Sequence, residues 1–255
     1  PHHSPDMNNI SPLAYVHPEA VIGDNNIIGP FCVINKDVVI GDGNTLLNSV
    51  TLHEGTRLGS GNEIFPGASI STKPQDLKFK GETTVCIIGD NNSIRENVTI
   101  SRGTASKGKT KVGSNNLLME NMHIAHDCEV GNGCIIGNST KIAGEVVVDD
   151  FAILSACVLV HQFTHIGSYV MIQGGAKLPM DVPPFVIIGK EPSHYCGLNT
   201  VGLNRRGFSS ERIDKIHQAY RLIYSKGLRS EAIAAIKQMG MNDDLQYIVS
   251  FVENS

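Results

Sequence analysis

The chain has no apolar run long enough to cross a bilayer as a helix, and no signal-peptide pattern opens it. A cytoplasmic protein with no integral membrane segment is the expectation. Its six cysteines include no C-x-x-C pair, so there is no sign of a cysteine-based metal or redox motif. The formal net charge of −4 leaves no global electrostatic footprint for nucleic acid. Regular Thr-x-Thr ladders are also missing, which argues against a flat, non-enzymatic binding array. Residues 1–6, Pro1 to Asp6, read as a tag remnant ahead of a natural start at Met7, so His2 and His3 carry no functional weight.

What is present is a period of six. From Val16 to Leu178, 25 of the 28 positions in phase are Val, Ile or Leu, the exceptions being Asp76, Glu82 and Ser106. A hydrophobic content of 41% would place only about 11 apolar residues there. Six matches neither a helix nor a long strand; it suits a short strand and a corner, repeated. Position i is aliphatic, i+1 is often glycine (Gly23, Gly41, Gly113, Gly131), and i+4 is small or medium-sized (Cys32, Val50, Cys128, Cys134). Positions i and i+4 should both point inward, which makes Cys32, Cys128 and Cys134 buried thiols. The glycines, with neighbouring Asp and Asn, are expected to supply the permissive backbone of the corners.

This pattern resembles the left-handed parallel β-helix of hexapeptide-repeat acyltransferases, in which three hexads make one 18-residue coil. The fold class implied is mainly β: a left-handed parallel β-helix of hexapeptide repeats over residues 7–190, with a C-terminal α-helical domain over 191–255. Loop insertions interrupt the repeat near 71–86 and 102–111, and insertions in solenoids often lie on the binding face. Helical spacing begins at Ser209, with Gly227 as a stop. Further helices are predicted from Ser230 to near Gly240 and from Asp243 to Val252.

The chemically suggestive segment is His123-Ile124-Ala125-His126-Asp127, followed by His161-Gln162. Ile124 is in phase and inward, so His123, His126 and Asp127 should face outward. With 18-residue coils, one column reads His126, Gly144, Gln162, and His161 rises about 10 Å above His126 on the same wall. A neutral imidazole suits general-base work, a carboxylate can orient it, and a backbone N–H at Gly144 can stabilise an oxyanion. Three histidines could also be imagined as zinc ligands, as in trimeric β-helical carbonic anhydrases.

Four runs sharpen the resemblance: Gln75-Asp76-Leu77-Lys78, Asn116 through Cys128, Val160-His161-Gln162-Phe163, and Arg205-Arg206-Gly207-Phe208. In this order they resemble the bacterial UDP-N-acetylglucosamine O-acyltransferase family of lipid A biosynthesis. That likeness implies transfer of an (R)-3-hydroxyacyl chain from acyl carrier protein to the 3-hydroxyl of UDP-N-acetylglucosamine by a homotrimer, with no cofactor and no metal. By the same likeness His126 is the general base, Asp127 supports it, and Gly144 faces the oxyanion. Gln75, Asp76 and Lys78 would reach across to a neighbouring subunit's sugar site. His123, His161 and Gln162 would line the pocket, and Asn199, Arg205 and Arg206 would hold the nucleotide, the phosphopantetheine arm or the carrier. Where the family has Ala-Gly-His this chain has Ala143-Gly144-Glu145, and Glu145 is expected close to Asp127; Val201 stands where well-known members have an acid. Gly174 and Pro192 match the positions that measure the acyl chain, which implies a chain of C14 or longer. A related N-acyltransferase of the same pathway is the nearer alternative.

Overall fold

The computed structural model describes residues 7–225 and 227–255, so the reading of 1–6 as a tag remnant lies outside the described residues. From Asn9 to Gly189 the chain runs through short strands, most of two residues, in three sheets of parallel pairs. Each regular coil gives one strand to each sheet: Tyr15 pairs with Val33, His123 with Lys141, and Lys141 with Leu159. The result is a three-sided prism. Its second face carries Tyr15–Val16 and His123–Ile124, its third Val21–Ile22 and Glu129–Val130, and its first Ile27–Ile28 and Ile135–Ile136.

The period of six is the cause. Every in-phase aliphatic from Ile28 to Leu178 is buried along the prism axis, with Cys32, Val50, Cys128 and Cys134 filling the corners between them. Val16 and Ile22 are only half-buried, because the first coil has no coil beneath it.

The corners correct one expectation. The left-handed backbone falls at i+3 and not at the i+1 glycine: Asn25, Asn91, Asp127, Glu145, Phe163 and Tyr169 all have φ between 56° and 69°. The i+1 glycine is instead a close-approach residue. A Cβ on Gly29 would lie 1.5 Å from the Leu47 carbonyl oxygen of the next coil. The i+4 slot also holds a feature that the apolar pattern hides. Asn26, Asn44, Asn62, Asn92 and Asn116 form a buried ladder at the corner between the third and first faces. Each amide oxygen accepts the backbone N–H of the next rung, at 2.9 Å from Asn44 to Asn26 and from Asn92 to Asn62.

Beyond the prism, Val186–Gly189 pairs antiparallel with His194–Leu198, so the expected boundary at 190/191 cuts through a strand pair. Among the described residues four helices follow: α1 (Thr200–Arg205), α2 (Ser210–Ser225), α3 (Arg229–Lys237) and α4 (Asp243–Glu253). Helix α1 has no counterpart in the periodicity, since six residues are too few to show a stripe. The tail closes the C-terminal end of the prism. The Tyr220 hydroxyl of α2 donates to the Pro184 carbonyl at 2.5 Å, and Tyr169, Phe185 and Phe208 pack ring on ring. From α4, the Tyr247 hydroxyl donates to Asp149 and accepts from the Ser168 N–H, while Phe251 lies 4.3 Å from the His165 ring. None of these helices is long and apolar enough to cross a membrane.

Candidate active site

Both interruptions of the repeat leave from the same corner. Ser69–Thr72 lies in the second face and Val85–Ile88 in the third, as do Thr99–Ser101 and Lys109–Val112. Residues 73–84 and 102–108 therefore emerge one above the other between those faces, and the next coil turns the same corner at Ala125–Cys128. The two loops touch: the Arg102 guanidinium sits 5.3 Å from the Phe79 ring centre, and the Thr84 hydroxyl donates to the Gly103 carbonyl.

At this corner His126 and Asp127 form a hydrogen-bonded pair, Nδ1 to Oδ2, at 2.8 Å. The expectation that both face outward fails for Asp127, whose side chain is wholly buried. The 102–108 loop folds over it. The Thr104 N–H and the more distant Lys107 N–H donate to its Oδ1 at 2.9 and 3.3 Å, and the Thr104 hydroxyl donates to Oδ2 at 2.5 Å. Burial opposes ionisation of Asp127, but the Thr104 hydroxyl and the His126 ring outweigh it and hold the carboxyl below its ordinary range. Asp127 is thus an acceptor only. That assigns the His126 proton to Nδ1 and leaves a lone pair on Nε2.

Two groups lie near Nε2. Asp76 Oδ2 stands 3.8 Å away, while its other oxygen accepts the Lys78 N–H at 3.0 Å in a tight turn. Asp76 thus meets His126 of its own chain. Gly144 lies directly against the ring: a Cβ there would be 2.6 Å from Nε2. Among the described residues no acceptor takes the Gly144 N–H.

The column His126, Gly144, Gln162 is real. The His126 carbonyl accepts from the Glu145 N–H and the Gly144 carbonyl from the Phe163 N–H. Glu145 does not turn to Asp127; its carboxylate accepts the Ser106 hydroxyl at 2.6 Å. His123 is half-buried and bonds Thr99 at 2.6 Å. Burial and the Lys141 ammonium on the next coil push its imidazole below the ordinary value, so it is neutral near pH 7. His161 is exposed beside an apolar cleft of ≈ 260 Å³ lined by Ala143, Leu159, Leu178 and Pro179. Gln75 and Lys78 are exposed on their loop. Among the described residues no three His, Cys, Asp or Glu side chains converge as metal ligands.

The remaining candidates sit on other corners. Asn199 is buried as the cap of α1: its side chain accepts the Gly202 N–H and donates to the Tyr169 carbonyl. Arg205 is exposed in the last turn of α1, and Arg206 stacks 4.4 Å over Phe151 at the corner between the third and first faces. Gly174 and its neighbours share a cleft of ≈ 220 Å³ with Lys190 and Glu191, next to the exposed Pro192, at the corner between the first and second faces. Sequence reasoning missed Thr104, Ser106 and Thr99. The interruption at Ser106 marked the loop, but nothing in the sequence marked which of its residues turn inward.

Two family models match. Residues 109–144 fit the bacterial transferase hexapeptide (six repeats), and residues 181–255 fit the second domain of UDP-N-acetylglucosamine O-acyltransferase. An acyl-[acyl-carrier-protein]–UDP-N-acetylglucosamine O-acyltransferase of Aliarcobacter butzleri is 47% identical over 98% of this chain and 96% of its own. The chain belongs to this family. It is an O-acyltransferase with the left-handed parallel β-helix of its relatives. The UDP-N-acetylglucosamine acyltransferase of Bacteroides fragilis superposes with a TM-score of 0.95 at 57% identity, covering 96% of this chain and 97% of that one. The Francisella novicida acyltransferase gives 0.94 at 44% identity, covering 96% and 91%. Membership sets aside the zinc carbonic anhydrase and N-acyltransferase readings.

Proposed function

We propose that the protein transfers a 3-hydroxyacyl chain from acyl carrier protein to the 3-hydroxyl of UDP-N-acetylglucosamine, the first step of lipid A biosynthesis, with His126 as general base. The observation that carries this is the His126 ring itself. It is fixed at Nδ1 by a buried carboxylate, carries a free lone pair at Nε2, and lies against an unpaired backbone N–H at Gly144. The sugar hydroxyl gives its proton to Nε2 as its oxygen bonds the thioester carbonyl carbon. The Gly144 N–H stabilises the tetrahedral oxyanion. When the C–S bond breaks, the imidazolium returns that proton to the departing phosphopantetheine sulfur. Asp76, close to Nε2, and Asp127 at Nδ1 flank the transient imidazolium with negative charge. No step calls for a metal or a cofactor.

His123, His161, Gln162, Gln75 and Lys78 surround the acceptor in this reading, and Glu145 holds the loop beside it. Asn199, Arg205 and Arg206 stand at a different corner of the prism from His126. A homotrimer, in which a neighbour's arginines complete each site, accounts for that separation. The exposed Arg205 and Arg206 suit an acidic carrier protein or a pyrophosphate. The acyl chain crosses the second face past Leu159 toward Gly174, and a small residue there leaves room for C14 or longer.

The test is His126→Ala. Transfer from acyl carrier protein to UDP-N-acetylglucosamine should fall by about 10³-fold or more, with the thermal unfolding profile unchanged; activity near wild type would overturn the assignment. A series of acyl-carrier thioesters should peak at C14 or above. Gly174→Met should move the peak to shorter chains, and a decanoyl preference in the unmodified enzyme would contradict the chain-length reading.

A further inference from the structure

The loop over Asp127 does more than shield it. Thr104 contacts both carboxylate oxygens: its N–H donates to Oδ1 at 2.9 Å and its hydroxyl to Oδ2 at 2.5 Å. Oδ2 is the same atom that accepts the His126 Nδ1–H. The direction of the Thr104 hydroxyl is fixed from behind, because its Oγ1 already accepts the Ser106 N–H at 3.2 Å. Its hydrogen therefore has one place to go. A hydrogen-bonded chain runs from Ser106 through Thr104 and Asp127 to His126. Its far side is anchored as well. The Ser106 hydroxyl donates to Glu145 at 2.6 Å on the coil that carries Gly144, the Gly108 N–H donates to the Thr104 carbonyl at 2.7 Å, and the Gly103 N–H bonds the Val85 carbonyl. Thr110 closes the circle by accepting the Asp127 N–H at 2.9 Å. Thr104 is itself buried, so water cannot replace its hydroxyl.

Two donors on one carboxylate oxygen divide its negative charge. From this geometry we infer that Thr104 is a positioning residue for the acyl transfer: its hydroxyl fixes the Asp127 carboxylate against His126 and moderates the pull of that carboxylate on the imidazole proton. The inference rests on His126 being the base. Without the hydroxyl, Oδ2 turns its full charge on the ring. The imidazolium is then favoured, the free base appears only at higher pH, and the ring loses its fixed angle to Gly144. In Thr104→Val the Thr104 and Lys107 N–H groups still donate to Oδ1 and the His126 ring to Oδ2, so the carboxylate keeps three partners and the corner stays folded.

The experiment uses the purified enzyme with UDP-N-acetylglucosamine and a 3-hydroxyacyl carrier thioester. Thr104→Val should lower kcat about 10-fold, leave KM for the nucleotide sugar within about 2-fold, and move the acid limb of the kcat/KM profile to higher pH. Thr104→Ser, which keeps the hydroxyl, should restore both. In an Asp127→Asn background, Thr104→Val should add little, because its effect passes through the carboxylate. The inference is overturned if Thr104→Val keeps the wild-type profile and kcat, if serine fails to rescue, or if the valine loss is the same on both backgrounds. His126→Ala run alongside separates the two readings. A silent His126→Ala overturns the base, whereas a dead His126→Ala beside a silent Thr104→Val overturns only the role of Thr104.

Discussion

At Gly144 the smallest side chain is required by its neighbour and not by its own backbone. Its φ lies outside the left-handed region, so alanine is conformationally allowed, yet the added Cβ would press on the His126 ring at 2.6 Å. The expected outcome for Gly144→Ala is a folded enzyme whose kcat falls by about 10- to 100-fold, since displacement of a base by as little as 1 Å costs about that much. Steady-state kinetics with a circular dichroism spectrum checks it; an unchanged kcat would mean the ring can lie elsewhere without loss. Asp127 shows the opposite economy. A left-handed φ of 61° turns its backbone through the corner, and its side chain points under the loop in place of outward. Residue type and spacing identified the pair. The inward turn of Asp127 depends on residues twenty or more positions earlier, so the local sequence does not reveal it.

Among the repeating elements, the corners between the third and first faces depend on the asparagine ladder. Asn62, itself buried, accepts the Asn92 N–H at 2.9 Å and donates to the part-buried Gly89 carbonyl at 2.9 Å. Asn62→Ala strands the buried Asn92 donor and the half-buried Gly89 acceptor, and an unpaired buried group costs about 1–3 kcal/mol. Urea unfolding should show a loss of about 2–4 kcal/mol; a change under about 0.5 kcal/mol would mean that water fills the gap. The strands were legible because burial on one side imposes the aliphatic period directly. The ladder was not, because an asparagine two residues before the next in-phase aliphatic looks like an ordinary turn residue until the coils are stacked. The helices beginning near Ser210, Arg229 and Asp243 were legible from their amphipathic spacing, whereas α1 and the hairpin strand His194–Leu198 were too short to leave a pattern.

For the whole molecule, a single chain carries residues of the proposed site at two separate corners. His126, Asp76 and Glu145 cluster at one, while Arg206 stacks on Phe151 at another. If subunits complete each other, His126→Ala and Arg206→Ala act on different protomers of the same site. Each variant alone should be impaired, and co-assembled mixtures should recover activity through sites that draw an intact His126 from one subunit and an intact Arg206 from the next. Dilution assays on separately purified and on co-refolded proteins distinguish the cases. No recovery on co-assembly would place both residues in a site built by a single chain.

The sequence by itself determined the prism. A chain that turns a corner every six residues brings the aliphatic side chain at every sixth position to one axis and buries the whole file. It also determined which residue types could do chemistry, since imidazole, carboxylate and guanidinium groups stand out against that repeat. Only the tertiary structure decided which of them meet. Contacts across coils join residues 15 or more positions apart, and the interrupting loops fold back by hydrogen bonds whose partners, Thr104 to Asp127 and Ser106 to Glu145, lie 23 and 39 positions away. A periodic pattern fixes local direction, but the approach of two loops to one imidazole is set by the sum of many such contacts.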